Sequence, residues 1–79
     1  MMKILYFGSI SDALKADEQT ISLTKTTTVG EVVAIHLLPR LGDKFFMKMA
    51  YAVNGEFASK EDQITDEDVL AVLPPFSGG

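Results

Sequence analysis

Few side chains in this 79-residue sequence could act on another molecule. It has no cysteine, so any sulfur chemistry must use something other than a side-chain thiol. The one histidine, His36, has Pro39 and Arg40 where a second helical ligand would stand. Such a residue is far more often structural than catalytic or metal-binding. The carboxylates Glu61, Asp62, Asp66, Glu67 and Asp68 lack the D-x-D-x-D-G spacing and terminal Glu of a calcium loop. They read as a solvated loop, and no metal site is expected. What remains is the end, Leu73-Pro74-Pro75-Phe76-Ser77-Gly78-Gly79. Pro74 and Pro75 each fix φ and lack an N–H, so the chain leaves its last strand stiff and extended. Gly78 and Gly79, without β-carbons, can enter a channel too narrow for any side chain and present the carboxylate of Gly79 to a reagent at its end. The ordinary alternative is a frayed terminus. Two terminal glycines arise by chance in about 0.5% of chains, so the dipeptide alone does not decide between them.

The rest of the chain must carry that tail. Its length suits one domain, read as residues 1–73 with a tail at 74–79, and a surface shared with a partner would add to a modest core. A net charge of −4 with only seven scattered Lys and Arg argues against a nucleic-acid ligand. No run of 18 apolar residues and no basic-then-apolar leader is present, so no membrane role is expected and the cytoplasm is the expected location.

Met2 to Phe7 reads as a first strand ending at Gly8. Alternation puts Ile4 and Tyr6 on one face and Leu5 and Phe7 on the other, so both faces are apolar. Either the strand is covered on both sides or Leu5 and Phe7 form an exposed patch of the kind that marks a partner surface. Ser9 to Glu18, with Ala13, Leu14 and Ala16, reads as a surface loop or loose helical turn. Gln19 to Thr24 alternates as a strand with Ile21 and Leu23 inward, forming a hairpin with the first. Thr28 followed by Glu31 is a capping box that starts a helix, with Val29, Val32, Val33, His36 and Leu37 on one side and Ile35 and Leu38 widening the stripe. Pro39 should end or kink that helix at Leu38. Arg40 to Lys48 is ambiguous between a short helix and a packed loop around Leu41, Phe45 and Phe46. Met49 to Val53 reads as a strand, Asn54-Gly55 as a tight turn, and Glu56-Phe57-Ala58 as its return. Ser59 to Asp68 reads as loop anchored by Ile64, and Val69 to Leu73 as the last strand.

This order gives an α+β fold, a mixed sheet with one main helix on one face. With the diglycine it resembles a ubiquitin-like β-grasp protein, and more narrowly the sulfur-carrier small subunits of molybdopterin synthase. The resemblance lies in Lys3-Ile4-Leu5-Tyr6-Phe7-Gly8, Thr28-Val29, Ala52-Val53-Asn54-Gly55-Glu56 and the tail from Leu73 to Gly79. The family's D-G-D turn is here Asp66-Glu67-Asp68, a departure that touches local geometry and not the tail. The resemblance implies that an E1-like adenylating enzyme uses ATP to activate the Gly79 carboxylate, which becomes a thiocarboxylate. The sulfur would come from a donor such as a cysteine desulfurase or rhodanese. It further implies that the synthase large subunit takes in the tail residues Pro74, Pro75, Phe76, Ser77 and Gly78 and passes the sulfur to a pterin precursor, cyclic pyranopterin monophosphate, within a heterotetramer. Phe7, Phe57 and Leu73 match the family's partner-contacting positions, which turns the Leu5 and Phe7 patch toward the partner-surface reading and adds Leu5 to the expected interface. The chain itself would bind no cofactor and supply no catalytic side chain, as the sulfur-donor subunit of an enzyme whose active site lies on the large subunit. Carriers for thiamin thiazole or tRNA thiolation, protein modifiers joined through the terminal glycine, and an inert binding module are the rivals.

Overall fold

The computed structural model describes residues 1–41 and 49–74. Much of the Arg40 to Lys48 reading, with Phe45 and Phe46, therefore lies outside the described residues. Five strands form one mixed sheet in the order β2-β1-β7-β4-β5, built from β1 (Met2–Tyr6), β2 (Glu18–Ile21), β4 (Ala50–Val53), β5 (Glu56–Ala58) and β7 (Val69–Leu73). β1 and β7 pair in parallel at its centre, Lys3 opposite Val69 and Tyr6 opposite Val72, and the other pairs are antiparallel. A parallel pair needs a crossover, and the helices supply it on one face of the sheet. The α+β expectation is met.

The core lies between that face and α2 (Val29–His36). Met2, Ile4 and Tyr6 of β1, Leu70 and Val72 of β7 and Tyr51 of β4 point into it and meet Val29, Val32, Val33 and Leu37. The hydroxyl of Thr28 accepts a hydrogen bond from the backbone N–H of Glu31 at 3.2 Å, the expected cap. The other half of the box differs, since the Glu31 carboxylate accepts from the Thr27 hydroxyl at 2.6 Å. Ile35 is 65% exposed and does not widen the buried stripe as expected. Leu38 does, half-buried against the core, and Leu37 of the stripe itself is fully buried at the helix end. Helical structure resumes in α3 (Leu38–Leu41), with Pro39 in its first turn, where a missing N–H costs nothing.

Three other expectations are corrected. The segment read as a surface loop or loose helical turn after β1 is a full helix, α1 (Gly8–Leu14), held down by Ile10, fully buried, and by Leu14. The reading rested on Ala13, Leu14 and Ala16 and left out Ile10, whose spacing of four from Leu14 makes the helical face. β1 and β2 are antiparallel neighbours, but α1 joins them and β2 ends at Ile21, with Leu23 packed against the core beyond it. Residues 59–68 contain β6 (Gln63–Ile64), which pairs with β3 (Thr27–Thr28) as a small second sheet at the start of α2. A two-residue strand is too short for alternation to show. At the β4–β5 turn Asn54 and Gly55 take φ of 51° and 88°, the left-handed pair that this dipeptide favours.

Candidate functional site

Two features could meet a partner: the sheet face turned away from the helices, and the point where β7 leaves the sheet. The strand registers assemble the face. Glu18, Leu5, Ala71, Ala52 and Phe57 are successive partners across β2, β1, β7, β4 and β5, one row spanning the sheet. Ala71 and Ala52 are half-buried and small, so they form a low floor between Leu5 and Phe57, and Phe57 is 77% exposed. In the next row Leu73 pairs with Ala50, and continuing the β1–β7 register sets Phe7 beside Leu73. Phe7 is 44% exposed, lying just past β1 in extended conformation as the N-cap residue of α1. The sequence-predicted residues Leu5, Phe7, Phe57 and Leu73 thus share one face. Lys3 and Glu18 border it, their charged ends 3.9 Å apart, an exposed pair of little energetic weight.

The opposite face shows why these residues are outward. Tyr6, 3% exposed, donates its hydroxyl hydrogen to Oε1 of Gln19 at 2.6 Å, and that oxygen also accepts from Arg40 at 3.2 Å. Burial raises the Tyr6 pKa, with the positive charge of Arg40 opposing. Alternation then turns Leu5 and Phe7 to the sheet face away from the helices, where Leu5 is half-buried and Phe7 exposed.

The exit of β7 is braced from its start. The Asn54 side chain accepts from the Val69 N–H at 2.9 Å and donates to Asp68 at 2.9 Å, while the Asn54 N–H donates to the Val69 carbonyl. Asp68 also accepts from the Thr65 N–H at 2.8 Å. These bonds, the Asn54 side chain first and Thr65 second, hold the Asp68 carboxyl below its ordinary pKa. Asp66 accepts from the Leu23 N–H at 2.7 Å and is likewise lowered, with the Met1 amine 3.0 Å away. Asp62 accepts from the Ser59 N–H at 2.9 Å, so three of the five carboxylates, Asp62, Asp66 and Asp68, are engaged by backbone N–H groups. Among the described residues no group of three or more His, Cys, Asp and Glu could hold a metal, and none of the helices could span a membrane. Asn54, Ala52 and Ala71 were not singled out from the sequence as part of the site. The Val69–Leu73 alternation would have placed Ala71 outward, but Ala52 and the second role of Asn54 need the pairing. Pro74 is half-buried at the exit, while Pro75, Phe76, Ser77, Gly78 and Gly79 lie outside the described residues.

The ThiS family model matches residues 4–79. The chain belongs to the ThiS family. It is 30% identical to the molybdopterin synthase sulfur carrier subunit of Chlamydomonas reinhardtii, covering 99% of this chain and 98% of that one. Among solved structures it is similar to SAMP1, small archaeal modifier protein 1, of Haloferax volcanii, with a TM-score of 0.78, 24% identity, and 99% and 98% of the two chains covered. It also resembles a chain in the complex of subunits 1 and 2 of the molybdopterin-converting factor of Helicobacter pylori, with a TM-score of 0.66, 24% identity, and 99% and 97% covered. The fold of this ThiS-family chain is thus the ubiquitin-like β-grasp, with β1 and β7 as its central parallel pair.

Proposed function

We propose that this chain is the sulfur-carrier small subunit of a molybdopterin synthase. The observation that carries the reading is the match along nearly all of both chains to the relative of that name. The geometry supports it in two ways. The described residues offer an outward apolar row and no convergent catalytic set, which suits a chain that is handled by others. The last strand is the central one, hydrogen-bonded on both sides, so whatever follows Leu73 departs from the middle of the sheet.

In this reading Gly79 is the reacting residue. A carboxylate is a poor acyl donor until one oxygen is made a leaving group. Attack of the Gly79 carboxylate on the α-phosphorus of ATP, on an E1-like partner, releases pyrophosphate and leaves an acyl adenylate. A donor of the cysteine desulfurase or rhodanese class carries sulfur as a persulfide, whose terminal sulfur attacks the acyl carbon as AMP departs. A thiol reductant then cleaves the S–S bond of the acyl disulfide, itself oxidised to a disulfide with the donor sulfur or a second thiol, to free the thiocarboxylate. The resulting thiocarboxylate is ionised and nucleophilic at neutral pH, by the logic that makes thiolates reactive. The tail from Pro74 to Gly78 delivers it to the large subunit and its pterin substrate, while Leu5, Phe7, Phe57 and Leu73 dock the domain.

Intact mass after incubation with the E1-like enzyme, ATP and a sulfur donor tests this. Exchange of one oxygen for sulfur is expected in the full chain and in neither a Gly79 deletion nor a chain with one residue added after Gly79. Both variants should keep the native melting temperature, because terminal residues are where a chain best tolerates change. A mass raised by a whole protein would favour a modifier, and an unchanged mass would refute the carrier reading.

A further inference from the structure

Gly8 and Lys15 bracket α1, and both have a φ of 57°. Lys15 shows that this fold holds a side chain on such left-handed backbone, so the angle alone does not demand glycine at position 8. The neighbourhood does. A β-carbon on Gly8 would lie 2.9 Å from Cγ of Pro74 and 3.6 Å from its Cδ, where carbon atoms rest at about 3.5–4.0 Å. At Gly55, whose φ of 88° answers to its turn, the same point has nothing within 4 Å. At Gly8 the proline ring occupies the volume a side chain would need.

The topology makes this a fork. Parallel β1 and β7 run out at the same end of the sheet. β1 turns away into α1, the Phe7 carbonyl accepting from the Ile10 N–H at 3.1 Å, while β7 continues into the tail. We infer that Gly8 is a positioning residue for the tail: its bare α-carbon seats the Pro74 ring and sets the direction in which the tail leaves the domain. The inference rests on the carrier reading and deepens it. Gly79 must meet a fixed point in a partner's active site, and an angular error at Pro74 grows along a chain that reaches about 3.3 Å per residue.

The test is a cycle of wild type, Gly8→Asn, Pro74→Ala and the double variant, assayed by ATP–pyrophosphate exchange on the E1-like enzyme with melting measured alongside. Asn tolerates left-handed backbone yet brings the β-carbon, and P74A removes the Cγ it would strike. Because docking belongs to the sheet face, G8N should leave KM within about threefold while lowering kcat about tenfold, the size of loss expected of a sub-ångström misplacement. In the P74A background the same substitution should lower kcat by less than about threefold. Equal loss in both backgrounds, or lower melting with full kcat, overturns the inference and leaves the carrier reading standing. Exchange that even the wild type fails to support sinks the carrier reading and the inference with it. Should G8N not fold, Gly8→Ala, which brings the same β-carbon with less bulk, runs through the same cycle.

Discussion

Tyr6 and Phe7 are neighbours in sequence with opposite duties. Tyr6 is almost wholly buried with its hydroxyl on Gln19, and Phe7 stands 44% exposed beside the exit of β7. Tyr6→Asp should unfold the domain by placing an unpaired charge in the core, seen as loss of the circular dichroism signal. Phe7→Asp should keep the native spectrum and melting temperature. In the carrier reading it should weaken binding to both the adenylating enzyme and the large subunit by about thirtyfold, the cost of an aromatic anchor worth about 2 kcal/mol. If F7D unfolds and Y6D does not, the two faces have been assigned the wrong way round. Asp68 makes a second residue-level claim. Its folded pKa lies below the ordinary value near 3.9, so the unfolded chain takes up the proton first. Its contribution is whole above about pH 4 and is lost as pH falls through the lowered value. Between pH 7 and pH 3 the urea midpoint of Asp68→Asn should therefore fall less than that of the wild type.

Elements were legible where a local signal was long or chemically pointed. Thr28 with Glu31 announced α2, and Asn54-Gly55 announced the β4–β5 turn, since each is a device that few residues can perform. Thr28→Ala should accordingly cost about 0.5–2 kcal/mol, measured by urea unfolding, while sulfur transfer at low temperature is retained. Loss of transfer without loss of stability would give Thr28 a role beyond the cap. Elements were missed where tertiary contacts select them. α1 depends on Ile10 and Leu14 finding the core, and Arg40 closes its far end by donating to the Leu14 carbonyl at 3.3 Å. The spacing of Ile10 and Leu14 is local, but the core they enter and Arg40, 26 residues from Leu14, are not. β6 exists because Ile64 is pinned beside Thr27, and such pairing overrides local preference. The same divide runs through the candidate site. Phe7 and Leu5 are visible in the alternation of one strand, whereas the row from Leu5 to Phe57 requires four strands in register.

For the whole molecule, the dominant fact is that the first strand and the last lie side by side. Lys3 pairs with Val69 across nearly the entire length of the chain. The sheet has no centre until β7 arrives, since β1 and β4 do not touch each other in it and both bond to β7. A chain stopped after Asp68 should be unfolded in solution, with no cooperative melting. Closing so long a loop before any central contact rewards it makes folding slow for a domain of this size. On the ribosome, therefore, the nascent chain cannot complete its sheet until β7 has cleared the exit tunnel. Chains terminated before β7 would be left to proteases, and in the carrier reading only chains that had completed β7 would compete for an activating enzyme.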